Sequence, residues 1–248
     1  MILLYGEFAD LYEKLQDIDY EAFADYIEKI FESEGIKPGL VLDLACGNGT
    51  LTAIMAKRGY EMIGVDMSCE MLDIAKNKSD KENLDILYLN QDMTDFELYG
   101  TVDAIICTLD GINYLTEDGE LERTLRLAKN YLNPGGIMIF DINTEHKLSC
   151  VLGNNTFVNE EKGIFYVWQN DYDEEEKICR FYLDFFEKQS DGTYRRYTEE
   201  QAERAYSESE IREAAEKSGL TFAAFYDEFS FKKPQTDSER CFAVLRNI

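Results

Sequence analysis

Asp43, Gly47, Gly49, Asp66 and Asp92 are the residues whose types and spacing most directly imply chemistry. Residues 41–50 read Val-Leu-Asp-Leu-Ala-Cys-Gly-Asn-Gly-Thr: an apolar strand, a glycine turn, then the start of a helix. Glycines let a backbone approach a ligand closely, and the first turn of a helix offers N–H groups without partners of their own. A dinucleotide fingerprint needs a third small residue three positions beyond the second glycine. Thr52 stands there instead. Asp43 lies inside the strand ahead of the glycines, where a carboxylate repels a pyrophosphate and attracts a positively charged group.

Two further acids follow at the ends of apolar runs. Asp66 closes Gly64-Val-Asp-Met-Ser, where a carboxylate can accept hydrogen bonds from both hydroxyls of a ribose. Asp92, in Asn90-Gln91-Asp92-Met93, can accept from an adenine amino group, with Met67, Met71 and Met93 as apolar cover for the ring or as plain core. Three acids at the carboxyl ends of successive strands fall on the ligand-binding edge of an open α/β sheet. A nucleoside that also bears an ammonium and a sulfonium fits these groups, so the expected cofactor is S-adenosyl-L-methionine.

The elements needed to hold these residues are legible as alternating strands and helices. Phe23, Ile27, Ile30 and Phe31 share one helical face, with Asp19 as cap and Gly35 as stop, within a helical stretch over residues 5–34. Strands are expected over residues 40–44, 61–65, 86–89, 104–107 and 137–142, and helices between them, one capped by Ser68 and one stopped by Asn133-Pro-Gly-Gly. This rhythm predicts a doubly wound parallel sheet. It breaks after residue 150. Residues 163–172, 177–188 and 193–206 are rich in aromatics and read as an antiparallel meander of about three strands. The α/β pattern resumes at the capping box Ser207-x-x-Glu210, with a helix and two strands, residues 220–231 and 240–247. The expected division is a core over 1–150, an inserted β unit over 151–206, and a return to the core over 207–248.

Composition narrows the partners. Fifty acidic against 25 basic residues give a formal net charge of −25, and no basic stripe is present to neutralise phosphates, which disfavours nucleic acid and anionic membrane. Six cysteines without a Cys-x-x-Cys pair, and one histidine, His146, argue against zinc and for reduced thiols. Residues 1–10 lack the pattern of a signal peptide, and no apolar run is long enough to span a bilayer. A cytoplasmic protein, monomeric or homodimeric, is expected.

Taken together, Asp43-x-x-x-Gly47-x-Gly49, Asp66, Gln91-Asp92-Met93 and Asn133-Pro-Gly-Gly resemble the motifs of class I S-adenosylmethionine-dependent methyltransferases, over residues 5–145 and again over 207–248. Residues 5–12 (Tyr-Gly-Glu-Phe-Ala-Asp-Leu-Tyr) and 107–115 (Cys-Thr-Leu-Asp-Gly-Ile-Asn-Tyr-Leu) resemble the glycine N-methyltransferase-like branch, especially sugar N,N-dimethyltransferases and their uncharacterised bacterial relatives. The resemblance implies a Rossmann-like seven-stranded sheet with an antiparallel last strand and a β-meander lid where residues 151–206 stand. It places Ala45, Gly47 and Gly49 at the methionine part of the cofactor, Asp66 and Met67 at the ribose and adenine edge, and Asp92 and Met93 at the adenine, with Gln91 as a further cofactor-binding residue. Leu109 falls beneath the cofactor, Tyr12 in a helix closing over it, and Tyr5 beside the reacting amine. Tyr114 stands where the sugar enzymes carry a histidine, and a phenol with a pKa near 10 is a poor base at neutral pH.

The expected activity is methyl transfer to a nitrogen or oxygen of a small molecule. Tyr5, Asn113 and Tyr114 would orient the acceptor. Asp110 would accept a proton or cap its turn. Trp168, Tyr166, Tyr182 and Arg180 would line the pocket, and Arg180 or Arg196 would suit an acidic acceptor; His146 is a weaker candidate for a base. Competing readings are a tRNA or protein methyltransferase of the same fold, a non-catalytic cofactor-binding module, and an NAD-dependent oxidoreductase. Thr108-Leu-Asp-Gly lacks the proline motif of exocyclic-amine nucleic-acid enzymes, no cysteine follows a proline as a cytosine-5 nucleophile would, and Asp43 opposes NAD.

Overall fold

The computed structural model describes residues 18–161 and 163–248, so Tyr5 and Tyr12 lie outside the described residues. The first described helix, α1 (Tyr20–Ser33), begins where Asp19 accepts a hydrogen bond from the Ala22 amide at 3.0 Å, and it buries Phe23, Ile27, Ile30 and Phe31. Then β1 (Leu40–Leu44), α2 (Thr50–Lys57), β2 (Glu61–Asp66), α3 (Cys69–Glu82), β3 (Ile86–Asn90) and β4 (Val102–Cys107) alternate. A short 3₁₀ turn (Gly111–Tyr114), α4 (Glu120–Tyr131) and β5 (Leu132–Asn143) follow. The inserted segment contributes a π-helical stretch (Lys147–Leu152) and the strands β6 (Thr156–Glu161), β7 (Ile164–Asp173), β8 (Ile178–Lys188) and β9 (Tyr194–Arg204). After it come α5 (Glu208–Ser218), β10 (Thr221–Asp227) and β11 (Arg240–Arg246). The core sheet has seven strands in the order β10-β11-β5-β4-β1-β2-β3, and β11 pairs antiparallel with both neighbours.

Side-chain alternation explains why helices cover both faces. Leu42, Leu44, Ile105 and Phe140 join a core with the buried residues of α4 and α5, while Val41, Ile106 and Ile139 join a second core with α1 and α2. Strands buried on both faces must read as continuous apolar runs, as these do.

Two boundaries differ from the sequence expectation. Asn133-Pro-Gly-Gly lies within β5 rather than ahead of it: the strand starts at Leu132, paired with Val102, and the register shifts before Ile137. Gly136 is required in this irregular stretch, because a Cβ there would lie 2.7 Å from the Asp103 carbonyl oxygen. The inserted unit has four strands, not three, with β6 to β9 antiparallel in that order. Residues 156–161 (Thr-Phe-Val-Asn-Glu-Glu) lack the aromatic alternation that marks the other three strands, so their pairing with β7 is set by tertiary contact rather than local pattern.

One side chain fastens this unit to the core. Asn113, in the 3₁₀ turn, is fully buried. Its amide donates to the carbonyls of Asn143 (3.0 Å) and Arg204 (2.9 Å) and accepts from the Asn143 amide (2.9 Å). These are the points where the chain leaves β5 and returns from β9. Asn113 therefore does not face an acceptor, as the sequence suggests; its polar atoms are committed to backbone. An Asn113→Ala substitution strands three buried backbone groups, each costing about 1–3 kcal/mol. Unfolding in urea is expected to show a loss of at least about 3 kcal/mol, and a loss within about 0.5 kcal/mol would contradict this role.

Candidate active site

A cavity of about 1140 Å³ opens where the carboxyl ends of β1, β2 and β4 face the inner side of the four-stranded sheet. Its floor begins at the turn after β1. Ala45, Gly47 and Gly49 all adopt left-handed backbone (φ 60°, 53° and 68°). At Gly49 only glycine fits, since a Cβ would lie 2.6 Å from the Tyr88 hydroxyl and 2.7 Å from the Ala75 Cβ. Gly47 lines the cavity, and a Cβ there would meet no atom within 4 Å. The backbone there borders open space that a ligand can take.

Asp66, at the end of β2, fixes this loop. Its Oδ2 accepts from the Gly47 amide at 2.8 Å and its Oδ1 from the Ser68 amide at 2.9 Å. Burial outweighs these bonds and raises its carboxyl above the usual range. Each oxygen retains a lone pair for a further donor. Asp43 lies behind the loop, 1% exposed, and accepts from the Thr52 hydroxyl at 2.6 Å. Burial, opposed by that bond and aided by Asp66, pushes the Asp43 carboxyl up to about 7. The position that lacks the third glycine thus supplies Asp43 with its partner, a function that the absence of glycine alone does not reveal.

The adenine-side residues expected from sequence also border the cavity. Gln91, Asp92, Met93 and Met67 line it. Asp92 Oδ1 accepts from the amide and hydroxyl of Thr94 (2.7 and 2.8 Å), and Gln91 Oε1 from the Glu97 amide (2.7 Å), so this loop is held by the side chains that border the space. Met67 is 57% exposed.

The turn after β4 is organised by a residue that sequence patterning does not single out. Asp141, inside β5 and wholly buried, accepts from the amides of Leu109 (2.7 Å) and Asp110 (3.1 Å). Both of these residues have φ of 57°, a conformation costly for non-glycine residues. Arg240 of β11 completes the group, binding Asp141, the Asp110 Oδ1 at 2.8 Å and Glu228 at 3.5 Å. Asp110 is therefore ion-paired, and its side chain makes no cap hydrogen bond, which corrects the capping role expected for it. An acid within the apolar run of residues 137–142 is the available signal, the same one that marks Asp43.

The far wall comes from the inserted sheet. Trp168, Arg180, Tyr166 and Tyr182 line the cavity. The Trp168 indole N–H is buried without a hydrogen-bond partner among the described residues, while Arg180 is paired to Glu176 at 2.7 Å. Tyr114 also lines it and donates to Gln201 Oε1 at 2.9 Å. Glu203 of β9, 4% exposed, accepts from the Asn143 side chain at 2.7 Å, and sequence reasoning misses it. Asn113, His146 and Arg196 do not border the cavity; Arg196 is paired to Asp184.

A methyltransferase-domain model matches residues 41–136, from β1 to the start of β5. A crystal structure of an S-adenosylmethionine-dependent methyltransferase from Clostridium acetobutylicum is 34% identical, covers 98% of each chain and superposes with a TM-score of 0.89. The chain belongs to the S-adenosylmethionine-dependent methyltransferases. A curated dTDP-3-amino-3,6-dideoxy-α-D-glucopyranose N,N-dimethyltransferase from Streptomyces fradiae is 27% identical over 139 residues, 55% of this chain and 53% of that one. A sugar N-methyltransferase from Streptoalloteichus sp. shares the fold, with a TM-score of 0.77 at 21% identity, 96% of this chain and 93% of that one being covered.

As a methyltransferase the enzyme uses S-adenosylmethionine, and the residues present suit that group: open backbone at Gly47, carboxylates at Asp66 and Asp92 with acceptor capacity to spare, and a buried carboxylate near neutrality at Asp43. Among the described residues no helix is long and apolar enough to cross a membrane.

The Asp43 carboxyl has a direct consequence for stability. With a folded value of about 7 and an ordinary value near 4, the folded protein holds a proton that the unfolded chain has released. Stability from this group is present below about pH 4 and lost as pH rises towards 7. Asp43→Asn without S-adenosylmethionine is expected to gain stability over wild type as pH rises through that window, by up to about 4 kcal/mol. Parallel urea-unfolding profiles of the two proteins across pH 4–8 would contradict the assignment.

Proposed function

We propose that this methyltransferase transfers a methyl group to a nitrogen or oxygen atom of a small molecule, held between the turn after β4 and the inner face of the four-stranded sheet. The observation that carries the reading is one continuous cavity reaching from Gly47, Asp66 and Asp92 to Trp168 and Glu203. At about 1140 Å³ it exceeds the roughly 300–1,000 Å³ of a single small-ligand site and has room for cofactor and acceptor together.

Bound S-adenosylmethionine supplies a methyl group already activated on a sulfonium. The residues of this chain that would hold it are Gly47 and Ala45 at the amino-acid end, with Asp43 behind them, Asp66 at the ribose, and Gln91, Asp92, Met93 and Met67 around the adenine. Leu109, held in its left-handed turn by Asp141, presents the floor between cofactor and acceptor. The Tyr114 hydroxyl, whose hydrogen goes to Gln201, turns its oxygen to the acceptor as a hydrogen-bond acceptor, and the aromatic wall excludes water. Displacement at a carbon already activated needs alignment above all, and alignment alone contributes effective molarities of roughly 10⁵ M or more. The likeness of the core to sugar N-methyltransferases supports a small acceptor.

Thermal unfolding tests the cofactor half. S-adenosylmethionine or S-adenosylhomocysteine at about 100 times its dissociation constant is expected to stabilise the protein by roughly 2.7 kcal/mol, with no shift from NAD. Asp66→Ala frees the Gly47 loop and removes the ribose acceptor, and is expected to abolish the shift. A retained shift in that variant would overturn the placement of the ribose.

A further inference from the structure

The acceptor half of the cavity is short of available positive charge. Three cations line it: Lys147, Arg180 and Arg240. Each is engaged among the described residues. Arg240 binds Asp110, Asp141 and Glu228; Arg180 binds Glu176; Lys147 Nζ donates to Asn143 Oδ1 at 2.9 Å. Against them stand Asp110, Glu120, Glu200, Glu203, Glu228 and Glu239. Phosphate recognition relies on Arg or Lys forks or on clustered backbone amides; here both arginines are committed to carboxylates, and Lys147, bonded to a neutral amide, lies in the field of Glu203. An acceptor with a phosphate or a nucleotide diphosphate would meet net negative charge here.

Glu203 differs from the other acids in being buried and held. Its Oε2 takes the Asn143 amide hydrogen at 2.7 Å, and Asn143 is positioned in turn by Asn113 and by Lys147. The groups that face it come from every neighbouring element: Asp110 from the turn after β4, Lys147 from the π-helical stretch, Arg240 from β11 and Cys179 from β8. Burial first, then Asp110, push its carboxyl up to about 8, against the opposing pull of Asn143, Lys147 and Arg240. In its ionised form, which gains population as pH rises towards 8, a carboxylate so placed attracts a cation and can take a proton from it.

We infer that the acceptor is a phosphate-free amine whose ammonium group is received by Glu203, and that Glu203 removes the proton freeing the nitrogen lone pair for methylation. The transfer is balanced: an N–H bond of the ammonium breaks, an O–H bond forms on Glu203, and an ion pair becomes a neutral amine beside a neutral acid. This assigns to Glu203 the proton-accepting role for which the Tyr114 phenol is unsuited. The inference rests on the reading of the cavity as a methyl-transfer site, and its test is arranged to separate the two.

The test uses the full chain with S-adenosylmethionine and a panel of probes: propylamine, ethanolamine and glucosamine, with propanol, glucose and glucosamine 6-phosphate as counterparts. Release of S-adenosylhomocysteine and product mass are measured. Turnover is expected with the unphosphorylated amines only. For the best amine, Glu203→Gln, which keeps an acceptor for Asn143, is expected to lower kcat about 100-fold or more. It should leave cofactor affinity within about 3-fold and remove the limb of the wild-type pH profile that rises through about 8. Glu203→Asp should restore part of the rate and a shifted limb. Turnover of the alcohols or of glucosamine 6-phosphate overturns the inference. So does an unchanged profile in Glu203→Gln, or cofactor binding without turnover of any amine. Failure of the wild-type protein to bind S-adenosylmethionine defeats the reading of the cavity itself.

Discussion

The carboxylate of Asp141 is the interaction on which the rest of the site depends. It has no contact with solvent, and it joins three parts of the chain that are remote in sequence: the turn after β4, the middle of the sheet and the start of β11. A buried charge is costly and is tolerated only when its lone pairs are filled and a countercharge is near. Here two backbone amides and Arg240 meet that demand. In meeting it they hold Leu109 and Asp110 in left-handed backbone, and so fix the surface against which cofactor and acceptor would meet. The antiparallel last strand matters for this reason: Arg240 sits at its start and reaches Asp141 because β11 runs against β5.

The two halves of the cavity solve the problem of buried acid differently. On the cofactor side Asp66 and Asp92 are tied to backbone amides and hydroxyls, which steadies loops while leaving acceptor capacity. Asp43 has a single hydroxyl partner and sits close to neutrality. The site therefore stores an electrostatic preference for a cation. On the acceptor side Asp110 and Glu228 are paired with Arg240, whereas Glu203 is buried and bonded to an amide instead. The balance of charge, rather than the shape of the space, distinguishes one end from the other.

Much of this is legible in the sequence, because the informative signals are local. The helix cap at Asp19, the apolar runs of the parallel strands and the glycine turn each depend on neighbouring residues, and each stands where periodicity places it. The first strand of the inserted sheet is not legible because residues 156–161 have no aromatic alternation, and their strand conformation follows from pairing with β7. The roles of Asn113 and Asp110 depart from expectation for a related reason. Both lie in a segment that resembles an acceptor site, yet their partners, Asn143, Arg204 and Arg240, are 30, 91 and 130 residues away. Pairings over such distances are invisible to pattern, and so is Glu203, whose neighbours belong to five other segments of the chain.

Asn113 holds both crossing points of the inserted sheet, one amide grasping the outgoing and the returning chain. Such a clasp makes the insertion a cassette: its length and strands can change while the hinge points and the cofactor floor stay put. Glu203 lies on the cassette side, one residue before the clasp closes on Arg204. Exchange of the cassette would thus replace the wall that recognises the acceptor and the group that deprotonates it in one evolutionary step, so that new specificity arrives with its own proton chemistry.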